Sequence, residues 1–525
     1  MDRAGTEQKI RGVEQEYPVT AKASFSPSLL VNAAIQGLKR RRFSREIAWD
    51  LQMEVSQELH ESKISSSFGE NGSRIYNDMG HLEISTPSYN TPFDAVAYDK
   101  AADLYAFLAA REASIALKKS VTVHKNNVAN FFTSSDRSVR KGQERRIRTN
   151  TYATHGNIIT SRAACKEWHM VERALIPWVV TRILFTGSGD VVSGELVGTA
   201  GVKFVISPRA MFVVQPSSLS TTAMRGILNT RDQPHAAKHY WRLHDIHYEA
   251  LRSEYALFMR DISQALVIRA FEYGFLADAP ELEDPVGAFK HLAQDTQDCT
   301  WRICLKSGER TDAVAILRYY LEAIERLREA AGEDWSSWDD LGLNALNALM
   351  DDLDARHLER YVDGLDWVTK LALLVNYDPK DAPEGVSICN QYALLDESTL
   401  SYLPDEHIGP VSASECLYNP SESLAFARAR LPGVDWAALT DRVVHAAAHA
   451  PEQTRDYFKT ELLKRYGTHI RAASWSTILL DHAKIALDEP FMLCKEEIGA
   501  AMEQSTTLEE LLAAAHELYP RNVIL

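Results

Sequence analysis

The sequence predicts an α+β protein in which an antiparallel sheet carries the functional site on one face and helices flank the sheet. Predicted strands and helices follow one another without a regular strand–helix–strand alternation, which favours this class over a parallel sheet. Two short strand-like segments near the start carry acidic residues, and helical patterns dominate the middle of the chain. The same pattern predicts a large N-terminal domain over residues 1–430 and a smaller C-terminal domain over residues 431–525.

The first acidic segment, residues 12–19, places Glu14 and Glu16 two positions apart. Side chains two apart on a strand point to the same face, so these carboxylates would lie close together. Two such groups repel each other unless a cation lies between them, which makes the pair a candidate metal site. The pattern alone also fits a strand face that is simply exposed to water.

The second acidic segment, residues 71–87, is the one around which the chain is organised. Tyr76 and Asp78 alternate along a predicted strand and therefore share a face. His81 and Glu83 fall on the opposite face unless Gly80 marks a bulge or bend that redirects them. The segment predicts either an acidic site or a half-exposed edge strand whose polar face meets water.

Helical periodicity predicts several long helices. The first covers residues 27–60, with Ser26 as its N-cap and Pro27 at its first position. An alanine-rich helix is predicted over residues 97–118, and an amphipathic helix over residues 311–331. Residues 377–409, rich in Pro, Asp and Gly, predict a break between elements.

Composition argues against several classes of function. The 525 residues carry a net charge of −15 at pH 7, so nucleic-acid binding is not expected. No apolar run is long enough to span a membrane. The six cysteines form no Cys-x-x-Cys pair, which argues against a cysteine zinc site. Together with an N-terminus that lacks an apolar signal core, they predict a cytoplasmic protein.

A basic stretch interrupts this acidic chain between Asn127 and His155. Six Lys and Arg side chains lie within residues 137–148, and the stretch has no apolar periodicity, which predicts a mobile basic loop. Two interpretations are open. The loop is either solvated and balances nearby acids, or it grips an acidic partner or a phosphate.

Short motifs recur along the chain in a fixed order. They are Gly12-Val13-Glu14-Gln15-Glu16-Tyr17, Asn71-Gly72-Ser73-Arg74-Ile75-Tyr76-Asn77-Asp78, Lys125-Asn126-Asn127, His155-Gly156-Asn157, Asn229-Thr230-Arg231-Asp232 and Asp366-Trp367-Val368-Thr369-Lys370. In this order they resemble the Pup ligase and Pup deamidase/depupylase family (PafA and Dop), which shares its fold with glutamine synthetase. Two late motifs, around Arg455 and Trp475, resemble the depupylase branch in particular. The resemblance implies a glutamine synthetase-like antiparallel sheet that carries the active site.

The resemblance also implies a set of metal ligands. Glu14, Glu16 and Glu83 would bind Mg²⁺ ions that hold the phosphates of ATP, with His155 as a further ligand. Carboxylate oxygens are the ligands that this hard cation prefers.

Catalytic and nucleotide-binding roles follow from the same resemblance. Asp78 would be the catalytic carboxylate, with Tyr76 beside it. Arg209 and Arg231 would neutralise phosphate charge that develops during transfer. The remaining implied nucleotide-binding residues are Asn127, Asn157 and Trp475.

The chain departs from the family pattern at three carboxylates, whose positions are Gly156, Gln233 and Ala237. These departures leave the substrate open. The first hypothesis is an ATP-dependent enzyme that deamidates, or cleaves an isopeptide at, the C-terminal Gln or Glu of an acidic Pup-like modifier gripped by residues 137–148. The second is a carboxylate-amine ligase that acts through an acyl phosphate, on a Pup-like protein or on a small carboxylate and amine. The third is an inactive ATP-binding partner.

Overall fold

The computed structural model describes residues 9–22, 25–50, 65–133, 146–411 and 416–525. The strands in chain order are β1 (Arg11–Tyr17), β2 (Val19–Ala21), β3 (Ser44–Arg45), β4 (Ala48–Trp49), β5 (Ser66–Gly69), β6 (Arg74–Asp78), β7 (His81–Ser85), β8 (Val121–His124), β9 (Val128–Thr133), β10 (Arg146–Thr151), β11 (Thr154–Ser161), β12 (Asp190–Ser193), β13 (Val202–Val205), β14 (Gln215–Ser218), β15 (Gly226–Asn229), β16 (Tyr240–Tyr248), β17 (Arg302–Cys304), β18 (Arg310–Asp312), β19 (Leu394–Leu395), β20 (Ile470–Ala473), β21 (Thr477–Leu480), β22 (Lys484–Ala486) and β23 (Val523–Ile524).

The helices in chain order are α1 (Pro27–Arg40), α2 (Pro92–Leu117), α3 (Trp168–Thr181), α4 (Ile183–Thr186), α5 (Glu254–Glu272), α6 (Pro285–Gln294), α7 (Ala313–Ala331), α8 (Ser337–Asp354), α9 (Asp366–Tyr377), α10 (Ala382–Ala393), α11 (Asp405–Ile408), α12 (Pro420–Arg430), α13 (Leu439–Ala448), α14 (Asp456–Tyr466), α15 (Lys495–Gln504) and α16 (Leu508–Leu518). No helix in these described ranges combines the length and the apolar character that a membrane crossing requires.

The central sheet runs in the order β14-β15-β16-β11-β1-β7-β6-β5-β3. Only the first pair is parallel; each other neighbouring pair is antiparallel. Helices α2 and α5 are almost wholly buried, and they pack against each other and against β1, β7 and β11. The apolar core therefore lies on one face of the sheet, which leaves the other face for polar side chains. The predicted α+β class is confirmed.

The second acidic segment is a hairpin rather than a single strand. Strands β6 and β7 are joined by Met79 and Gly80, whose φ angles of 49° and 94° match a tight turn that follows the twist of the strands. The turn reverses the chain, so Asp78 pairs with His81 and Tyr76 pairs with Glu83. Directly paired residues share a face. Gly80 therefore lies in the bend that the sequence allowed for, and this bend places His81 and Glu83 on the face of Asp78.

Other predicted elements were partly right. The amphipathic helix predicted at 311–331 is α7, and the alanine-rich helix is α2, which begins earlier, at Pro92, after the Thr91 cap. The first helix ends at Arg40 rather than at 60, because Arg42 takes a left-handed conformation (φ 64°) and β3 and β4 follow. Residues 51–64 lie outside the described residues.

Two stretches predicted to lack structure contain regular elements. Within residues 127–155, β9 and β10 pair with each other, and the intervening residues 134–145 lie outside the described residues. Helix α10 interrupts the predicted break at 377–409; Asp381 caps it, and its Pro occupies the first turn, where a missing N–H is tolerated. In both cases the polar composition masked the pattern.

A second apolar core involves the end of the chain. It is formed mainly by residues 458–523, together with Ile47 and Phe68 from the N-terminal part. Leu439 and Val443 of α13, by contrast, pack into the large core. The domain boundary at 430 stays a prediction, and this packing favours a boundary after α13.

Candidate active site

A row of acidic side chains crosses the polar face of the central sheet. On β1, Glu14 pairs with His155 of β11, and Glu16 pairs with Glu83 of β7. The β6–β7 hairpin then places Asp78 next to this row. Antiparallel pairing therefore brings together residues that lie far apart in the sequence, on one face of the sheet.

The first group of ligands consists of Glu14, His155 and His244, whose candidate ligand atoms all lie within 4.8 Å of one another. His155 Nδ1 is 3.1 Å from one oxygen of Glu14, and Asn157 donates its amide to the other oxygen at 2.9 Å. Arg242 lies 3.8 Å from that second oxygen and donates to Asn157 at 2.8 Å. We refer to Glu14, His155 and His244 as the histidine cluster.

Positive and donor groups stabilise the charge of Glu14. Burial by itself raises the pKa of this carboxyl, but the His155 hydrogen bond and the neighbouring His244 and Arg242 hold the pKa well below its usual range. Burial, followed by the charge of Arg242, also lowers the pKa of His244 well below its usual value. Arg242 therefore supplies a permanent positive charge beside Glu14, whereas the charged form of His244 is disfavoured.

The second group consists of Glu16, Asp78 and Glu83, whose candidate ligand oxygens also lie within 4.8 Å of one another. Tyr76 donates its hydroxyl to Glu83, and His81 Nδ1 lies 3.4 Å from Glu16. Burial, followed by the charges of Asp78, Glu16 and Glu14, raises the pKa of Glu83 well above its usual value. We refer to Glu16, Asp78 and Glu83 as the carboxylate cluster.

These two clusters fit a divalent cation. Three carboxylates in near contact repel one another, and burial together with that repulsion raises the pKa of Glu83. His155 Nε2 is buried, and within the described part of the chain it has no hydrogen-bond partner. Carboxylate oxygens suit Mg²⁺, and a histidine nitrogen can complete the set. The residues present are therefore suited to hold a metal ion.

A cavity of about 340 Å³ borders the carboxylate cluster. Its lining combines acidic and basic side chains, Glu16 and Asp78 with Arg209 and Arg225. The remaining lining residues are polar or apolar: Asn150, Thr151, Tyr152, Thr221, Thr222, His81, His155, Met79, Ala153 and Phe212. We call this space the Asp78 cavity.

A second cavity, of about 100 Å³, borders the other end of the acidic row. Glu14, Arg242 and Trp475 line it, together with Arg455 and Lys459 of the C-terminal region. Lys459 forms an ion pair with Asp456 and donates to the carbonyl of Trp475 at 3.4 Å. We call this space the Trp475 cavity.

Arg74 connects the C-terminal region to the site. Its guanidinium lies 3.6 Å from the ring centre of Trp49 and 4.0 Å from that of Tyr76. The ring of Trp475 meets that of Trp49 edge to face, with centroids 5.0 Å apart. This stack holds the ring of Tyr76 in place relative to the Trp475 cavity. Because the Tyr76 hydroxyl donates to Glu83, the stack also positions Glu83.

Residues 9–398 match the protein family described as "Pup-ligase protein". The chain belongs to this family. A depupylase from Acidothermus cellulolyticus is 30% identical over 96% of this chain and 99% of its own length. A Pup deamidase/depupylase from Mycolicibacterium smegmatis is 28% identical over the same two shares. A Pup–protein ligase from Acidimicrobium ferrooxidans is 29% identical over 70% of this chain and 73% of its own length.

Solved structures of the family have the same fold. The ligase PafA in complex with the ubiquitin-like protein Pup superposes with a TM-score of 0.71 at 20% identity, over 98% of this chain and 96% of PafA. PafA in complex with ADP gives a TM-score of 0.65, also at 20% identity, over 93% and 94% of the two chains. The predicted glutamine synthetase-like fold and the resemblance to the Pup ligase family are both confirmed.

The structure brings most of the predicted site residues together. The implied ligands Glu14, Glu16, Glu83 and His155 lie in the two clusters, with Asp78 beside them. Tyr76 holds Glu83 and lines neither described cavity. Asn157 holds Glu14 and lines the Trp475 cavity, as does Trp475 itself.

The three remaining predicted residues are placed differently. Arg209 lines the Asp78 cavity, but its guanidinium already donates to the carbonyls of Ile246 and Tyr152. Arg231 follows β15, and its charge contributes to the lowered pKa of His244. Asn127 is fully buried away from both cavities, where its amide bonds Tyr152, Thr154 and the backbone N–H of Ala250. The role of Asn127 in nucleotide binding stays a prediction. Its hydrogen bonds stabilise the sheet.

Sequence reasoning missed several residues of the site. Arg242 and His244 alternate along β16, which gives them one face, but their closeness to Glu14 depends on the pairing of β16 with β11 and of β11 with β1. Arg225 lies in a loop with no pattern of its own. Arg455 and Lys459 reach the Trp475 cavity only through the packing of the C-terminal region.

The departure from the family pattern at Gly156 has a structural explanation. His155 and Asn157 both contact Glu14, so the residue between them faces the other side of the sheet. A Cβ atom at Gly156 would lie 2.5 Å from two ring atoms of Tyr248. A carboxylate at this position would point into the helical layer, so its loss leaves the two clusters complete.

Proposed function

We propose that this chain is an ATP- and Mg²⁺-dependent enzyme of the depupylase type. Its substrate would be a Pup-like protein modifier, which it deamidates at a C-terminal Gln or releases from an isopeptide bond. The observation that carries the proposal is the position of Asp78, a carboxylate that belongs to a candidate metal cluster and lines a cavity open to a substrate side chain. The near full-length match to named depupylases and deamidases supports the same choice.

The net chemistry needs a water molecule and a positioned carboxylate. Asp78 would act on the amide carbon, directly or by taking a proton from a water molecule that attacks it. The oxygen of water ends on the carbon, the carbon–nitrogen bond breaks, and the departing nitrogen takes the proton. Ammonia leaves when the substrate is a Gln, and the amine of a lysine leaves when it is an isopeptide.

The two clusters would hold Mg²⁺, and the Trp475 cavity would hold part of the nucleotide. When bound, Mg²⁺ would offset the repulsion between the carboxylates and neutralise phosphate charge. The cavity offers an aromatic ring beside cationic side chains from Arg242, Arg455 and Lys459, which suits a base and phosphates. The ADP complex of PafA supports a nucleotide site in this fold.

A ligase remains the alternative within the same family. Its support is the match to the ligase from Acidimicrobium ferrooxidans, which covers less of the chain than the depupylase matches do. In this case the nucleotide would activate a carboxylate as an acyl phosphate, and an amine would displace the phosphate. A small carboxylate and a small amine could serve as substrates in place of a Pup-like protein.

The acidic modifier would be attracted by residues 137–148. Residues 146–148 belong to β10, and residues 137–145 lie outside the described residues. The proposal rests on their sequence, six cationic side chains in a protein of net charge −15. Attraction of this kind chiefly raises the rate of association and weakens with salt.

The deciding experiment incubates the protein with ATP, Mg²⁺ and one of two Pup-like peptides, which end in Gln or in Glu, and follows peptide mass and ADP in parallel. We expect conversion of Gln to Glu with little ADP formed. An adduct between the Glu peptide and an added amine, with matching ADP, would establish the ligase instead. Bound nucleotide without change in either peptide would refute both reactions on a Pup-like protein and would direct the search to small carboxylates and amines.

A further inference from the structure

Arg225 has an unusual position at the Asp78 cavity. It ends the loop between β14 and β15, and its backbone carbonyl accepts the N–H of Val214 at 3.0 Å. Its Nε donates to the carbonyl of Thr221 at 2.8 Å, and its guanidinium lies 5.8 Å from the ring centre of Phe212. These contacts hold the stem of the side chain while it lines the cavity.

The outer nitrogens of Arg225 have no partner within the described residues, in contrast to those of Arg209. Arg209 uses both of its outer nitrogens on carbonyl oxygens of Ile246 and Tyr152. For Arg225, the Nε bond to Thr221 is the only side-chain hydrogen bond among the described residues, and no carboxylate there lies within ion-pair distance. Burial lowers the pKa of Arg225, and the charge of Glu16 offsets this shift only in part.

The lining of the Asp78 cavity therefore carries charges of both signs. Glu16 and Asp78 supply the negative charges, and Arg225 and the neighbouring Arg209 supply the positive charges. An unpartnered guanidinium presents a fork of N–H donors that fits a carboxylate in a two-point contact. A ligand that fills this cavity would carry an anionic group that binds Arg225 and a second group that reaches the carboxylate cluster.

A C-terminal Gln has this pair of groups. Its backbone ends in a free α-carboxylate, and its side chain carries the amide that is hydrolysed. A C-terminal Glu joined to a lysine through its side chain keeps the same free α-carboxylate. Building on the function proposed above, we propose that Arg225 binds the free α-carboxylate of the substrate's last residue and so restricts the enzyme to that position.

The nucleotide is the other source of an anionic group. Its phosphates, however, are better matched by the Trp475 cavity, where Arg242, Arg455 and Lys459 lie beside an aromatic ring. Arg225 is in the other cavity, which contains Asp78 and is lined by hydroxyl and amide groups. A carboxylate therefore fits Arg225 better than a phosphate does, and the experiment separates the two.

The experiment compares two peptides of identical sequence that end in Gln, one with a free C-terminal carboxylate and one with a carboxamide. Turnover is measured with wild-type enzyme, Arg225→Gln and Arg225→Lys, and binding of fluorescein-labelled peptides is measured in parallel. Because charge-assisted contacts of this kind are strong, we expect wild-type enzyme to prefer the free acid by about tenfold to a hundredfold. Arg225→Gln should lose this preference through a higher KM for the free acid only, and Arg225→Lys should keep part of it.

Arg328→Gln is the matched control, because Arg328 is a half-exposed arginine on α7 that pairs with Asp340. It should keep the full preference. A wild-type enzyme that binds and converts both peptides equally would overturn the inference, as would an Arg225→Gln enzyme that keeps the preference. A rise in the KM for ATP with both peptides would assign Arg225 to a phosphate instead.

The labelled peptides keep this test separate from that of the proposed function. If wild-type enzyme converts neither peptide yet binds the free acid more tightly through Arg225, the reaction proposed above fails and the carboxylate site stands. If wild-type enzyme converts Gln to Glu in both peptides at one rate, the proposed function stands and the carboxylate site fails. Equal binding without conversion refutes both.

Discussion

The two clusters on the polar face of the sheet differ in how their charges are balanced. In the histidine cluster, Glu14 contacts His155 and Asn157, and Arg242 lies beside it. In the carboxylate cluster, Glu83 has Tyr76 as a hydrogen-bond donor, but the charges around it are those of other carboxylates. The pKa of Glu14 is lowered and that of Glu83 is raised, although both are buried glutamates on neighbouring strands.

This difference shows which part of the site depends on a ligand. The histidine cluster is balanced by the protein's own side chains, so it can form before anything binds. The carboxylate cluster stores repulsion that a divalent cation would relieve. Such a site lowers the stability of the ligand-free protein and strengthens the binding of the ligand, as functional sites often do.

Asp78→Asn should have the largest effect. The change keeps the size of the side chain but removes the charge that we propose acts on the amide, so we expect turnover to fall by about a hundredfold or more. Nucleotide binding, measured by calorimetry, should be nearly unchanged, because Asp78 does not line the Trp475 cavity.

The control for this variant is Asp351→Asn on α8, where Asp351 pairs with Arg318 at the surface. It should keep full turnover. Full turnover by Asp78→Asn itself would remove this carboxylate from the mechanism and break the link between the carboxylate cluster and the chemistry.

Glu14→Gln tests the balanced cluster. Without Mg²⁺, the variant loses the attraction of a buried carboxylate to its donors, so the free energy of unfolding should fall by about 1–2 kcal/mol. Urea unfolding in the presence of EDTA measures this change. Calorimetric titration should also show weaker Mg-ATP binding, and unchanged affinity would count against Glu14 as a ligand.

Glu83→Gln should act in the opposite direction and by the smallest amount. The amide oxygen can still accept the Tyr76 hydroxyl, while the repulsion from Asp78 and Glu16 disappears. We expect the free energy of unfolding in EDTA to rise by up to about 1 kcal/mol, as at other strained functional positions. Added Mg²⁺ should then raise the Tm less than it does for wild type. A loss of stability in EDTA would mean that the carboxylate cluster is balanced after all.

The sequence was most informative where the pattern is local. Glu14 and Glu16, or Tyr76 and Asp78, lie two apart on one strand, so their common face follows from strand geometry. The hairpin between Asp78 and His81 was missed because its turn starts with Met79, a residue that rarely takes a positive φ. Local sequence therefore predicted which acidic residues belong to the site, but not the strand register that brings them together.

Residues that join the site through long-range pairing were not predictable in this way. His244 reaches Glu14 through two successive strand pairings, and nothing near it in the sequence encodes them. Arg225 was missed because its importance lies in its outer nitrogens, which have no partner among the residues that the structure describes. The family resemblance supplied roles for some residues that match a motif, and it gave no role to either of these side chains.

The pairing of strand β4 with the C-terminal sheet predicts how the protein behaves when it is made as two fragments. Ala48 and Trp49 add this strand in parallel to β20, at one edge of the five-stranded C-terminal sheet, and Ile47 enters the core behind it. Fragments 1–430 and 431–525, made separately, would each expose an unpaired strand edge and an apolar surface. Such halves are complementary, so we expect them to be insoluble alone and to reassemble into an active split enzyme when they are co-expressed.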